Sequence, residues 1–101
     1  MKVIWSPLAI DRAEEESAFI ATDKPEAGRR WLEAVFNAVD RLELFPLSGH
    51  PLPELDSARY RQVLYKAHRI IYRIDTDSVV ILTVRRWKRL LDVNELLTHR
   101  D

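Results

Sequence analysis

The 101-residue chain predicts an α+β domain: an N-terminal strand and a helical hairpin packed on one face of a small twisted antiparallel sheet. Three observations carry that expectation. Trp31, Val35, Ala38, Leu42 and Phe45 follow one another at spacings of 4, 3, 4 and 3, one continuous helical stripe. From Arg59 the apolar period drops to two, in "RYRQVLYK", "HRIIYRID" and "VVILTVRRW". Between the two regimes lies "PLSGHPLPELDS", a loop holding three of the five prolines and one of the two glycines.

Taken in order, "KVIWS" reads as a first strand with Val3 and Trp5 on one side and Ile4 on the other. Ser6-Pro7 then opens a helix, because serine caps free N–H groups and proline suits the first helical position. That helix runs to about Thr22, with Ala9, Ala13, Phe19 and Ile20 on its apolar stripe. Glu16 falls where the stripe calls for an aliphatic residue, which implies either loose packing or a bridge to an arginine. Asp23-Lys24-Pro25 repeats the punctuation, and the second helix continues to Phe45, where Pro46 stops it. A second stripe of Leu32, Phe36 and Val39 lets it meet both the first helix and the sheet.

Lys66-Ala67 and Asp75–Ser78 join the three later strands. Ile70, Tyr72 and Ile74 share one face, as do Val80, Leu82 and Val84, and both sets fit beneath the helices. The other face carries Arg69, Ile71 and Arg73 beside Val79, Ile81, Thr83 and Arg85, and reads as bare, basic and partly apolar. "KRLLDVNELLTHRD" supplies Leu90, Leu91 and Leu97 for a short final helix. The length predicts one domain over residues 1–101, with 89–101 as that helix or a tail.

Composition excludes several classes. Without cysteine there is no disulfide or thiolate zinc site, and the expected compartment is the cytoplasm. No apolar run approaches the roughly 20 residues of a membrane span, and the N-terminus runs into acids unlike a secretory signal. Two glycines cannot build a phosphate-cradling loop, and His50, His68 and His99 lack metal-ligand spacing, so neither cofactor nor metal is expected. Net charge is zero but unevenly spread: residues 1–57 hold 6 basic and 11 acidic side chains, whereas residues 58–91 hold 9 basic and 2 acidic. That asymmetry points to an anionic partner.

The arginines are therefore the candidate chemistry, since a guanidinium forks onto phosphate or carboxylate at any working pH. Arg69 and Arg73 project from one strand, Arg85 ends its neighbour, and Tyr60, Tyr65 and Trp87 are interleaved for stacking or peptide packing. His68 would be the base of a metal-free ribonuclease, but alternation turns it away from Arg69 and favours a packing role.

"FPLSGHPLPEL", the strand "HRIIYRI" and the arginine-bearing end of "ILTVRR", in this order over about residues 2–91, resemble the RelE/ParE superfamily of type II toxins, most closely its ParE-like branch. The resemblance implies a growth-inhibiting toxin of the kind found in plasmid-stabilisation modules. Its partner would be a cognate antitoxin that covers the second sheet face in a hetero-oligomer, and its target DNA gyrase. Arg61, Arg69, Ile71, Arg73, Ile81, Arg85, Arg86, Trp87 and Arg89 are the residues expected to bind antitoxin or target. The RelE-like alternative is a metal-free endoribonuclease acting on mRNA in the ribosome, through Arg69, Arg85, Arg61, Tyr65 and His68. Against it, Arg61-Gln62 stands where that branch has a lysine pair, and "KRLLDVNELL" lacks its terminal tyrosine or histidine.

Overall fold

A computed structural model describes residues 1–87 and 93–97. Strand β1 (Lys2–Trp5) leads into helices α1 (Pro7–Ala21) and α2 (Pro25–Asp40), the latter followed by a 3₁₀ turn at Arg41–Glu43. Strands β2 (His50–Pro51), β3 (Tyr60–Tyr65), β4 (His68–Ile74) and β5 (Ser78–Arg86) follow, then a 3₁₀ turn at Val93–Leu97. The sheet order is β1-β5-β4-β3-β2. β1 runs parallel to β5 and the remaining pairs are antiparallel, so the sheet is mixed where the sequence predicted antiparallel. The helical hairpin carries the chain back across the sheet, which is the connection a parallel pair requires.

Ser6 performs its predicted task and a second one. Its Oγ accepts from the Ala9 N–H at 3.0 Å, capping α1, and donates to the Leu82 carbonyl at 2.9 Å. Lys24, not Asp23, occupies the N-cap of α2, with no side-chain hydrogen bond. The α1–α2 contact is close at Gly28, where an added Cβ would stand 2.5 Å from the Ser17 carbonyl oxygen. Between β3 and β4, Lys66 takes φ 51°, the left-handed conformation that a two-residue hairpin loop needs.

Beneath the helices, Ala9, Ala13, Trp31, Val35, Val39 and Leu42 close on Ile70, Tyr72, Val79, Ile81 and Val84. Two expectations fail here. Phe45 is 63% exposed, because α2 ends at Asp40 and the 3₁₀ turn rotates the following residues off the stripe. In β5 the predicted faces of Val79, Val80, Ile81 and Leu82 are reversed. Ile71 pairs with Thr83 but Tyr72 pairs with Ile81, so Leu82 has no opposite residue. A bulge of one residue inverts the alternation on one side of it.

The second face is covered, which corrects its reading as bare. Leu52, Ile71, Val80, Leu82 and Leu96 form a second apolar cluster, with Ile4, Leu55 and Tyr60 at its margin. The loop after α2 is tied at its start to Tyr72 on the helix side and reaches this face at Leu52. Tyr72 Oη donates to the Pro46 carbonyl at 2.7 Å and accepts from the Gly49 N–H at 3.0 Å, and Leu52 N–H bonds the Tyr60 carbonyl at 3.1 Å. No described helix is long and apolar enough to cross a membrane.

Candidate binding face

Arg69, Arg73, Ile71 and Arg85 lie together on the second face, and Arg69 and Arg85 are direct cross-strand partners. Two like charges at that separation repel, yet each is answered by a carboxylate from outside the strands. Glu54, in the loop between β2 and β3, takes Arg69 end-on: Nη1 and Nη2 donate to its two oxygens at 2.7 and 2.8 Å. This hydrogen bonding holds the Glu54 carboxyl below its usual pKa against the opposing effect of burial. Glu95 stands 3.1 Å from Arg85 Nη1, accepts from Thr83 Oγ1 at 3.1 Å and lies 3.3 Å from Arg12 Nε. Arg73 and Arg59 share Asp75, which Arg73 above all pulls down to a pKa of about 2.

The first face holds a separate charged cluster. Glu16 Oε2 lies 2.8 Å from His68 Nε2 and 3.1 Å from Arg86 Nε. Burial works to raise the Glu16 carboxyl, but the bonds from His68 and Arg86 outweigh it and the pKa falls. Arg86 also rests on the Phe19 ring at 4.4 Å, so Phe19 stays half-exposed instead of entering the core. The Trp31 indole ring meets His68 edge-on, with ring centroids 4.9 Å apart. Arg61 donates to the carbonyls of Gly49 and Ala58 at 2.9 Å each.

The sequence candidates therefore divide. Arg69, Ile71, Arg73 and Arg85 share the second face, with Trp87 over the Arg69 guanidinium at 5.6 Å. Arg61, Tyr65, His68 and Arg86 alternate to the first face with the helices. Ile81, expected on the binding face, is fully buried beneath the helices because of the Leu82 bulge. Arg89 lies outside the described residues.

Of the answering acids only Glu16 was read from sequence, as loose packing or a bridge to an arginine, and it bridges to Arg86. Asp75 was visible two residues after Arg73, just past the end of β4, and Glu16 announced itself by interrupting an apolar stripe. Glu54 and Glu95 left no local signal, since only the loop path and the final turn bring them to the arginines. Among the described residues no group of three histidines or acids could hold a metal ion.

Residues 3–91 match the family described as ParE toxin of type II toxin–antitoxin system, parDE. The chain belongs to this family. A Sinorhizobium fredii protein named "Putative toxin Y4kP" is 34% identical over 94 residues, 89% of this chain and 96% of that protein. The fold is that of the chromosomal ParDE system of P. aeruginosa, at a TM-score of 0.71 and 16% identity over 85% of this chain and 95% of that one. A chain of the RelBE2 toxin–antitoxin complex of Mycobacterium tuberculosis gives a TM-score of 0.62 and 27% identity, covering 84% and 95%. This ParE-family chain is thus a toxin of the type II class within the RelE/ParE superfamily, with the strand, helical hairpin and sheet that its sequence predicted.

Proposed function

We propose that this toxin acts by binding, that DNA gyrase is its target, and that a cognate antitoxin neutralises it. The observation that carries this reading is the division of the nuclease candidates between the two faces of the sheet. Arg69 and Arg85 lie on one face, Arg61, Tyr65 and His68 on the other. A ribonuclease needs its base and its phosphate-binding cation within reach of one phosphodiester. His68, moreover, is buried and occupied at both ring nitrogens, by Trp31 and Glu16.

A binding role suits what is exposed. Trp87 is 51% accessible beside Arg69, and Arg86 lies on the half-exposed Phe19. Beyond the β2–β3 edge, Phe45 and Leu64 flank a groove of about 340 Å³ whose polar margin is Arg41, Ser48 and His50. Aromatic and arginine side chains are the usual anchors of protein interfaces. The toxin–antitoxin complexes among the similar structures support a protein partner for this chain as well. The alternative, a ribosome-dependent nuclease, draws on Arg69 and Arg85 lying side by side as a phosphate clamp.

Pulse-labelling after induction without antitoxin separates the two. The proposal expects DNA synthesis to fall first while translation continues. Protein synthesis collapsing first, with cleaved ribosome-bound message, would replace it with the nuclease reading. The paired substitution Arg69→Ala with Arg85→Ala is expected to weaken partner binding, and unchanged binding with unchanged toxicity would remove these arginines from the interface.

A further inference from the structure

The Arg69–Glu54 pair is unequal. The arginine side chain is 5% exposed at the bottom of the contact, whereas the glutamate side chain is 32% exposed above it. Glu54 belongs to no strand or helix. It sits in a turn between Leu52, which is buried and bonded to Tyr60, and Leu55, whose N–H reaches back to the Leu52 carbonyl at 3.3 Å. The turn thus has two apolar anchors with the acid between them. Arg69 is also incompletely used: Nη1 and Nη2 hold Glu54, while Nε is buried with no hydrogen-bond partner among the described residues. Leaving a buried donor unmet costs free energy that a different ligand geometry would recover. At the rim stands Trp87, half-exposed and already stacked on the guanidinium.

We infer that Arg69 is the receiving site for an acidic side chain of a partner polypeptide, and that Glu54 holds that place in the free chain as a built-in competitor. This rests on the binding role proposed above and names the chemistry of one of its contacts. Depth and width select the occupant. A carboxylate on a slim side chain reaches a buried guanidinium, as Glu54 itself does, and a side-on approach would also meet Nε. A nucleic-acid phosphate carries its chain onward in both directions and needs an open groove, whereas Leu52 and Leu55 pack on this face on either side of Glu54. Flanking apolar residues of the partner would rest on Trp87. Exchange of one carboxylate for another is nearly neutral in charge, so the partner must win through those flanking contacts. A lone anion is kept out.

The test uses the full chain with Glu54→Gln, which keeps the side-chain volume and removes the charge. The probes are N-acetyl-Leu-Glu-Leu-amide, its Leu-Gln-Leu counterpart and single-stranded octathymidylate, followed by NMR at the Trp87 indole N–H and the Arg69 Nε–H. If Glu54 closes the site most of the time, removing it tightens the acidic peptide about tenfold or more, by the fraction of open sites gained. The glutamine peptide gains nothing, and Glu54→Asp falls between the two. Equal affinity of wild type and variant, an equal response to the glutamine peptide, or preference for the oligonucleotide would overturn the inference. Misfolding of both variants would do so too, by making Glu54 a structural anchor. The readout is binding in vitro, so it stands or falls independently of which cellular process the toxin stops.

Discussion

The indole N–H of Trp31 donates to Nδ1 of His68 at 3.3 Å. An accepting Nδ1 places the imidazole proton on Nε2, which faces Glu16 at 2.8 Å. One ring therefore ties α2 to β4 and, through Glu16, to α1. His68→Ala would leave a buried indole donor unmet and take one of two partners from Glu16. The expected loss is about 1–3 kcal/mol, the cost of leaving a buried polar group unmet. Urea unfolding followed by far-UV circular dichroism measures it. A loss under about 0.5 kcal/mol, the scale of ordinary surface substitutions, would mean the ring only fills space.

Asp75 gives the fold an acid limb. Its pKa falls from the model-peptide value of 3.8 to about 2, through Arg73 first and Arg59 second. A depressed carboxyl contributes stability that is present above its unfolded pKa and is lost as pH falls through its folded pKa. The contribution near neutrality is about 2 kcal/mol. Asp75→Asn is therefore expected to be less stable than wild type by about that amount at pH 7, with the gap closing between pH 3.8 and about 2. Chemical unfolding of both proteins across that window checks the sign, since a constant gap would assign the loss to something other than titration.

Much of this fold was legible because its signals are local. The Ser6 cap, the Trp31–Val35–Leu42 stripe and the β3–β4 hairpin each depend on residues near one another in sequence. What escaped depends on tertiary register. Period-two reading placed Val80 and Leu82 under the helices, and the single unmatched residue at Leu82 moved them to the other side. The basic stretch likewise looked unanswered because Glu54 and Glu95 come from segments whose paths alternation does not describe. β2 spans only two residues, too short for any periodic signal. The shared face of Arg69, Arg73 and Arg85 was legible from sequence, but its closure by Glu54 and Glu95 was not.

At Gly28 two effects oppose each other. Alanine is the better helix former by about 1 kcal/mol. Its Cβ, however, would stand 2.5 Å from the Ser17 carbonyl oxygen and 2.9 Å from the Ala21 Cβ. That oxygen belongs to the α1 backbone, so relief requires the hairpin to spread, and overpacking of this kind costs about 1–3 kcal/mol. Gly28→Ala is expected to destabilise by up to about 2 kcal/mol net. A more stable variant in the same unfolding assay would mean that the hairpin spreads freely.

From the last described turn Glu95 meets Arg85, Arg12 and Thr83. Its side chain is 7% exposed and that of Arg85 17%, whereas Arg12 is 35% exposed on the outer side of α1. The two ion pairs therefore differ in kind. Glu95→Gln takes from Arg85 a carboxylate in a desolvated place, with an expected loss of about 3 kcal/mol. It also loosens the anchor that holds Leu96 in the second apolar cluster. Arg12→Ala leaves Glu95 with Arg85 and Thr83, and a contact whose cationic end lies at the surface contributes about 1 kcal/mol. The double substitution should cost little more than Glu95→Gln alone, because the Arg12 contact is already gone. Equal losses from the two single substitutions would refute this ordering and place the weight of the cluster on α1.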